Sequence, residues 1–414
     1  MPRLLFVLCG LLLFAYSSRL HAQDSLYVAC GDTLSYRYTP IDTVRMEMSS
    51  MIGDTLPAKG ETPKKNFLRK VIDYFGESST DKTFEKKIDF TFIGGPNYSK
   101  ETELGLGVMA AGLYRLDRTD SVTAPSDVSI YATASTAGFY KIGVSGNNIF
   151  RANRNRITYD LSFASQPTDY WGIGYVAGAH NPKSSYVDKR YKAEIRYLHQ
   201  LVNNLYIGAS IEAQYINGIK FDRIEYIEGE STSNMATGIG AILEYDSRDF
   251  IPNPYRGVYV SLEAQWLPKF LGSLDKGLWH TTFTVSGYTR VWKDAILASE
   301  LYSECNAPTT PWSMLARMGG SRRMRGYYEG QYNDNYMITL QAEIRQRIWR
   351  RIGVVAWGGA GNVFHCFNDF KWDQTLPNYG IGLRWEFKKR VNIRIDYGFG
   401  KKTSGFLFNI NEAF

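Results

Sequence analysis

The 414 residues carry 48 Lys and Arg against 41 Asp and Glu, a formal net charge of +7, with 14% aromatic residues and a mean hydropathy of −0.29. A mildly hydrophilic chain rich in aromatics and glycine (29 Tyr, 22 Phe, 9 Trp, 38 Gly) argues against a helical membrane protein; soluble sandwiches can show this mixture, and so can a barrel with aromatic girdles and a polar lumen. The basic residues are dispersed and not clustered with stacking aromatics, which sets a nucleic-acid groove aside.

The first element is a processing segment. Arg3 supplies a positive start, residues 4–15 are apolar, and Leu20-His21-Ala22 fits a cleavage site, so 1–22 reads as a secretory signal too short to span a membrane. Tyr27-Val28-Ala29-Cys30 faintly resembles a lipoprotein box but lies too far from the apolar run. Residues 23–86 are rich in Thr, Ser, Asp and Lys, with Pro57 and Pro63. Only 66–75 has helical spacing, through Leu68, Val71, Ile72 and Phe75, so the segment reads as a largely disordered periplasmic lead with one brief amphipathic helix.

From Ile88 onward the period is two. In 278–292, Trp279, Phe283, Val285 and Val291 alternate with His280, Thr282, Thr284, Ser286 and Arg290. In 336–348, Tyr336, Ile338, Leu340, Ala342, Ile344 and Ile348 oppose Thr339, Gln341, Glu343, Arg345 and Arg347. In 391–399, Val391, Ile393, Ile395, Tyr397 and Phe399 oppose Asn392, Arg394 and Asp396; 191–201 and 258–266 alternate in the same way. These runs are longer than usual globular strands and match a tilted membrane strand. Connections alternate too: tight turns at Trp292-Lys293-Asp294, Arg350-Arg351 and Lys388-Lys389-Arg390 interleave with long loops around 167–190, 216–236, 306–335 and 364–378. Short turns on one rim and long loops on the other predict an all-β transmembrane antiparallel barrel over 87–414, with about 16 strands, long loops outside and both termini inside. The last segment, 405–414, is expected to hold Phe406, Phe408, Ile410 and Phe414 on one face. A final strand of that kind resembles the signal by which outer-membrane proteins are recognised for insertion.

Chemistry is sparse. The five histidines show no metal-ligand spacing, and no serine has a convincing His partner, so neither a metal, a cofactor nor a catalytic residue is expected and a hydrolase ranks last. Gly105-Leu106-Gly107 and Gly398-Phe399-Gly400 lie on strands rather than at strand-to-helix turns, which removes a phosphate-loop reading. Such glycines are expected to relieve crowding where a barrel bends. Cys9 leaves with the signal; Cys305 and Cys366 lie near outer strand ends, where isolated thiols are the simpler expectation and a disulfide the alternative.

The break of about thirty residues before 336 is far longer than an ordinary hairpin connection and is expected to fold for a purpose. It contains Met324-Arg325-Gly326-Tyr327, which resembles the Val/Ile-Arg-Gly-Phe/Tyr motif on the lumen-entering loop of the BamA/TamA superfamily of outer-membrane barrels. Further resemblances follow the superfamily's order: Pro96-Asn97-Tyr98-Ser99 at the barrel start, Tyr245-Asp246-Ser247-Arg248-Asp249-Phe250-Ile251-Pro252 followed by Arg256-Gly257, and Gly380-Ile381-Gly382-Leu383-Arg384. They cover roughly 88–414. The resemblance implies a loop that enters the lumen and touches the inner wall. A guanidinium placed there needs a carboxylate, and Glu343, at a lumen-facing position on the next strand, is the expected partner of Arg325.

Two departures bear on function. The family's aromatic-x-Asp-x-Gly pattern meets Trp357-Gly358-Gly359-Ala360-Gly361, so Gly359 stands where the acidic residue belongs and Arg325 is expected either to rely on Glu343 alone or to sit differently. The periplasmic POTRA array of the large members has no counterpart in 23–86. The implied function is insertion or translocation of polypeptides, with outer-membrane lipid, unfolded outer-membrane or secreted polypeptides and other assembly subunits as partners. The alternative is a passive transport pore or a structural barrel without client handling.

Overall fold

The computed structural model describes Phe84 and residues 87–414, apart from 118, 121, 122, 124, 252 and 389. The signal segment 1–22, the helix expected at 66–75 and Cys30 lie outside the described residues. Among the described residues no helix is long and apolar enough to cross a membrane.

In chain order the first strands are β1 (Asp89–Ser99), β2 (Glu103–Tyr114), β3 (Ser126–Ser135), β4 (Tyr140–Ile149) and β5 (Asn155–Tyr170). A short helix α1 (Gly174–His180) precedes β6 (Ser184–Val202), β7 (Leu205–Ile219), β8 (Ser233–Asp246), β9 (Gly257–Leu267), β10 (Leu278–Trp292) and β11 (Ala295–Asn306). Two short strands, β12 (Ala316–Met318) and β13 (Tyr332–Asp334), pair only with each other. The wall resumes with β14 (Tyr336–Trp349), β15 (Ile352–Phe364), β16 (Leu376–Lys388), β17 (Val391–Gly400) and β18 (Thr403–Ile410). All but β12 and β13 close into one antiparallel barrel of sixteen strands, in which β1 meets β18.

Alternation decides which side chain sees what. On β14, Leu340 and Ile348 face outward and are 55% and 63% exposed, while Thr339, Gln341 and Glu343 face inward and are buried. The outer wall is therefore apolar and the lumen polar, the inverse of a soluble core, because lipid and not water covers the outside. Pairing leaves no open edge except at one joint. Whereas β5 and β6 are in register from Asn155↔His199 to Tyr170↔Ser184, β1 and β18 share one registered pair, Tyr98↔Phe408. The Tyr98 and Phe406 rings lie 5.5 Å apart beside that joint.

At the short-turn rim, Asn204, Asp294, Arg350 and Arg390 adopt positive φ, and register shifts sit beside each turn. Such left-handed residues followed by bulges match the right-handed twist of the flanking strands. At the other rim, β5 reaches Tyr170 and β6 begins at Ser184, so the loop expected over 167–190 is shorter than its polarity suggests. The loop expected over 216–236 is likewise confined to 220–232. These strand ends pair beyond the apolar belt, where alternation is no longer required and leaves no signal. Cys305 and Cys366 carry free thiols.

Candidate functional site

After β11 the chain does not return directly to the wall. Trp312–Met314 form one 3₁₀ turn, and β12 and β13 pair from Ala316↔Asp334 to Met318↔Tyr332 as a hairpin whose long tip carries the Met324–Tyr327 motif. Met324, Arg325 and Tyr327 are completely or almost completely buried. Met324 packs with Ala316, Met318, Tyr332, Met337, Val363 and Leu376, so the hairpin has an apolar core of its own against the inner wall. Its base is tied to α1 and the turn before it: Gln331 Nε2 donates to the Gly178 carbonyl at 3.1 Å and Asn333 Nδ2 to the Gly172 carbonyl at 3.0 Å.

Arg325 is clamped from two strands and stacked on a third. Nη2 donates to Glu343 Oε2 on β14 at 2.7 Å, and Nη1 donates to Asp396 Oδ2 on β17 at 2.9 Å. The guanidinium carbon lies 3.7 Å from the centroid of the Trp357 ring on β15, and neither the arginine nor its two carboxylates is exposed. A planar fork between two carboxylates over an aromatic face uses the properties that distinguish arginine from lysine. Gly359 therefore does not leave the arginine with one partner. Asp396 supplies the second carboxylate from β17, and the reliance on Glu343 alone allowed by the sequence is corrected. A side chain at 359 would also collide with the wall, since a Cβ there would stand 2.6 Å from the Leu340 carbonyl.

The rest of the motif presses backbone against backbone. Gly326 has φ +105°, and a Cβ on it would lie 2.7 Å from the Gly398 carbonyl carbon on β17. A Cβ on Gly398 would in turn meet the Arg325 carbonyl at 2.4 Å, and one on Gly400 would enter the Tyr327 ring. These strand glycines make room for the loop, which corrects the expectation that they ease a bend in the barrel. The Tyr327 hydroxyl donates to the Pro377 carbonyl at 2.7 Å and accepts from the Lys401 amide at 2.6 Å. Asn378 Nδ2 donates to the Arg325 carbonyl, and Thr403 Oγ1, at the start of β18, donates to the Gly326 carbonyl at 3.0 Å.

Other arginines of the loop reach further round the wall. Arg323 Nε donates to Glu300 on β11 at 2.7 Å, with its guanidinium 3.6 Å from the Tyr302 ring centroid. Arg317 donates to the Tyr186 hydroxyl on β6 at 3.0 Å and lies 3.5 Å from Asp188. Between the loop and strands β1 to β6 remains a polar cavity of about 680 Å³, lined by Asn97, Glu101, Lys141, Asp160, Lys192 and Glu329 among others.

Below the loop the clamp extends into the segment after β18. Phe406 and Ile410 face outward, 41% and 37% exposed, and Phe408 shares their parity at the joint with β1. Phe414 does not join them. Asn411 adopts φ +70°, the strand ends at Ile410, and 411–414 turns into the lumen, where Phe414 is buried against Tyr288 and Ala298. The cause is a set of strong partners on that side. Glu412 accepts from Arg384 Nε at 2.8 Å and from Asn392 Nδ2 at 2.6 Å, and Arg345 Nη2 donates to the Phe414 carbonyl at 2.7 Å. Arg345 Nε also donates to Glu343 at 2.7 Å, Arg384 Nη1 to Asp396 at 2.6 Å, and the loop's Arg322 Nε to the Ala413 carbonyl at 3.2 Å. Loop, wall and post-strand segment thus share one buried network. Asp396, Glu412, Arg345 and Trp357 were not assigned to the loop arginine's network by sequence. The signal available was inward parity on β14, β15 and β17, which does not say which inward residues meet, and Glu412 lies beyond the last strand, where parity gives no signal.

The Asp246–Arg256 motif is a local structure at the short-turn rim. Arg248 forms a two-pronged pair with Asp246 at 2.9 Å, while Asp249 accepts from the Tyr255 and Arg256 amides and from Arg390 Nη2 at 2.8 Å. Pro252 lies outside the described residues. Among the described residues no group of three or more His, Cys, Asp or Glu is arranged to hold a metal ion.

A closed barrel with an apolar outer wall, a polar lumen and an inserted arginine loop is an outer-membrane β-barrel protein. The Omp85 superfamily domain matches residues 127–414, and the chain belongs to that superfamily. Solved structures share the fold at low identity. BamA from Haemophilus ducreyi lacking POTRA domains 1–3 aligns with a TM-score of 0.52 and 9% identity over 82% of this chain and 81% of that one. CdiB from Escherichia coli gives 0.55 and 10% over 83% and 70%, and CdiB from Acinetobacter baumannii 0.52 and 11% over 79% and 60%. No curated protein sequence matches the chain.

Proposed function

We propose that this barrel assists the insertion or translocation of polypeptides at the outer membrane, through a β1–β18 joint that opens while the Arg325 loop holds the lumen in shape. Met324, Arg325, Gly326 and Tyr327 act as the loop's anchor, Glu343 as the inner-wall partner of the arginine, and Phe406, Phe408 and Ile410 as the apolar face of the closing strand. The observation that carries this reading is the position of the clamp: it grips β14 and β17, touches β18 through Thr403, and ends beside a joint with one registered pair. A closing strand so weakly paired to β1 offers backbone donors and acceptors to an incoming chain. Partners are then unfolded outer-membrane or secreted polypeptides and other assembly subunits, with 23–86 on the periplasmic side. Depletion in the native organism should lower the abundance of a subset of outer-membrane or surface proteins; an unchanged outer-membrane proteome defeats the proposal.

The cavity of about 680 Å³ beside β1 to β6 favours a second reading, a transport pore. Planar-bilayer recordings separate the two. A steady, ion-selective conductance indifferent to Arg325→Ala supports the pore, and a small fluctuating conductance that this substitution enlarges supports the gated barrel.

A further inference from the structure

Several outward-facing rings do not end where the barrel wall ends. Trp266 at the end of β9 stands opposite Trp279 at the start of β10, and Phe270 lies 6.1 Å from Trp266 by ring centroid. Trp279 lies 6.2 Å from Tyr336 at the start of β14, and Tyr336 stacks on Phe364, its ladder partner on β15, at 5.6 Å. From there the row leaves the wall: Phe367 lies 4.8 Å from Tyr336, Phe370 5.4 Å from Phe364, and Trp372 4.9 Å from Phe370. Parity puts Tyr336 and Phe364 on the lipid side, yet they are only 6% and 7% exposed. The connection after β15 has therefore folded outward over the wall rather than inward over the mouth.

The fold-back is built. Asn362 Nδ2, itself buried, donates to the Lys371 carbonyl at 2.8 Å and to Thr375 Oγ1 at 3.0 Å, and two 3₁₀ turns, Phe367–Asp369 and Trp372–Gln374, shape the segment between. What this frame presents is apolar at its tip: Phe367 is 61% exposed and Trp372 81%, with Phe270 at 75% along the same row. Asn368, Asp369, Lys371 and Asp373 alternate with the rings and are exposed as well.

We propose that residues 365–375, with Phe270, form a lipid-docking surface that lies at the headgroup–acyl boundary of the outer leaflet. The argument is continuity. The row starts on a wall that lipid covers and extends from it without a polar gap, and a contiguous exposed ring cluster is unfavourable in water but favoured where apolar and polar media meet. Indole rings with interleaved charged residues suit that boundary, because the ring displaces water while the charges stay hydrated. The surface belongs to β9–β15 and lies away from the β1–β18 joint, so it would hold one side of the rim at fixed depth and leave the joint uncovered.

The test is depth-resolved fluorescence quenching of the full chain in phosphatidylcholine vesicles, comparing the parent with Trp372→Phe. Trp372 is so exposed that its replacement removes no buried contact, and heat-modifiable gel mobility verifies that both proteins are folded. The parent-minus-variant emission, which isolates Trp372, should fall by more than half with lipids brominated near the glycerol, respond less to lipids brominated deep in the acyl chains, and resist aqueous iodide. Difference emission quenched by iodide and indifferent to brominated lipid would overturn the proposal and assign the surface to water or to a non-lipid partner.

Discussion

The two halves of the lumen hold similar residues in opposite states. Along β6 to β9, Lys192 bridges Glu194 and Glu212 at 2.9 and 3.3 Å with 34% of its side chain exposed, and Arg196 reaches Glu263 at 3.1 Å. Against β14 to β17, the loop's Arg325 and the wall's Arg345, Arg384 and Arg394 meet Glu343, Asp396 and the post-strand Glu412 with side-chain exposures of 6% or less. Strand parity is the same in both halves. The difference is the loop, which excludes water from one half and leaves it in the other. A wetted pair is screened and contributes little, whereas a dry one is costly to break because the remaining charge cannot rehydrate.

That contrast fixes the order of effects. In the dry half four arginines share three carboxylates, with backbone carbonyls such as Ser321's making up the balance. Removing a carboxylate worsens the excess, and removing an arginine relieves it. Asp396→Asn should therefore destabilise the barrel most, by about 3–5 kcal/mol. Arg325→Ala should cost less in urea unfolding followed by gel mobility, yet displace the loop further. Equal losses would mean that the charge imbalance is not what holds the network. Adding Glu343→Gln to Arg325→Ala should cost less than the sum of the two single losses, since they share the Arg325–Glu343 bond, although Glu343 also holds Arg345 and Arg325 also holds Asp396.

Gly398→Val tests the loop contact without touching a charge. Its side chain meets the Arg325 carbonyl, and overpacking of that kind costs about 1–3 kcal/mol, read as a lowered unfolding midpoint together with increased protease cleavage within 319–330. Unchanged cleavage would show that the backbone contact is dispensable. In the wetted half, Lys192→Met should shift stability by less than about 1 kcal/mol. A loss as large as that of Asp396→Asn would erase the distinction between the halves.

The smallest effect lies outside the lumen. Burial tends to raise the Asp249 carboxyl, but the Tyr255 and Arg256 amides and the Arg390 guanidinium outweigh it and hold the group below its ordinary value. A depressed carboxyl stabilises the fold above its unfolded-state pKa of about 4 and loses that contribution as pH falls through the lower folded value. Asp249→Asn should therefore flatten the acid limb of the stability profile below about pH 4 and leave its slope at neutral pH unchanged. An acid limb identical to the parent's would remove this turn from the account.

Much of the fold was written locally. Period-two alternation in 278–292, 336–348 and 391–399 placed β10, β14 and β17 to within a residue or two, because each strand must satisfy lipid on one side and the lumen on the other whatever its neighbours do. Loop alternation gave the rims, and the same parity made Glu343 an inward-facing partner for Arg325. Sequence could not reveal that Asp396 takes the place left by Gly359, since that depends on how the loop reaches across the lumen side of β15 and β16 to bridge β14 and β17, which do not pair with each other. Nor could it show Phe414 leaving the face of Phe406 and Ile410, because the Glu412 partners that draw the segment inward lie on β16 and β17. By itself the sequence determined the barrel, its inside and its outside, through a repeat that every strand obeys alone. Only the tertiary structure decided which inward charges are buried together and which stay partly exposed, because exclusion of water is a property of the assembled lumen and its loop, not of any one segment.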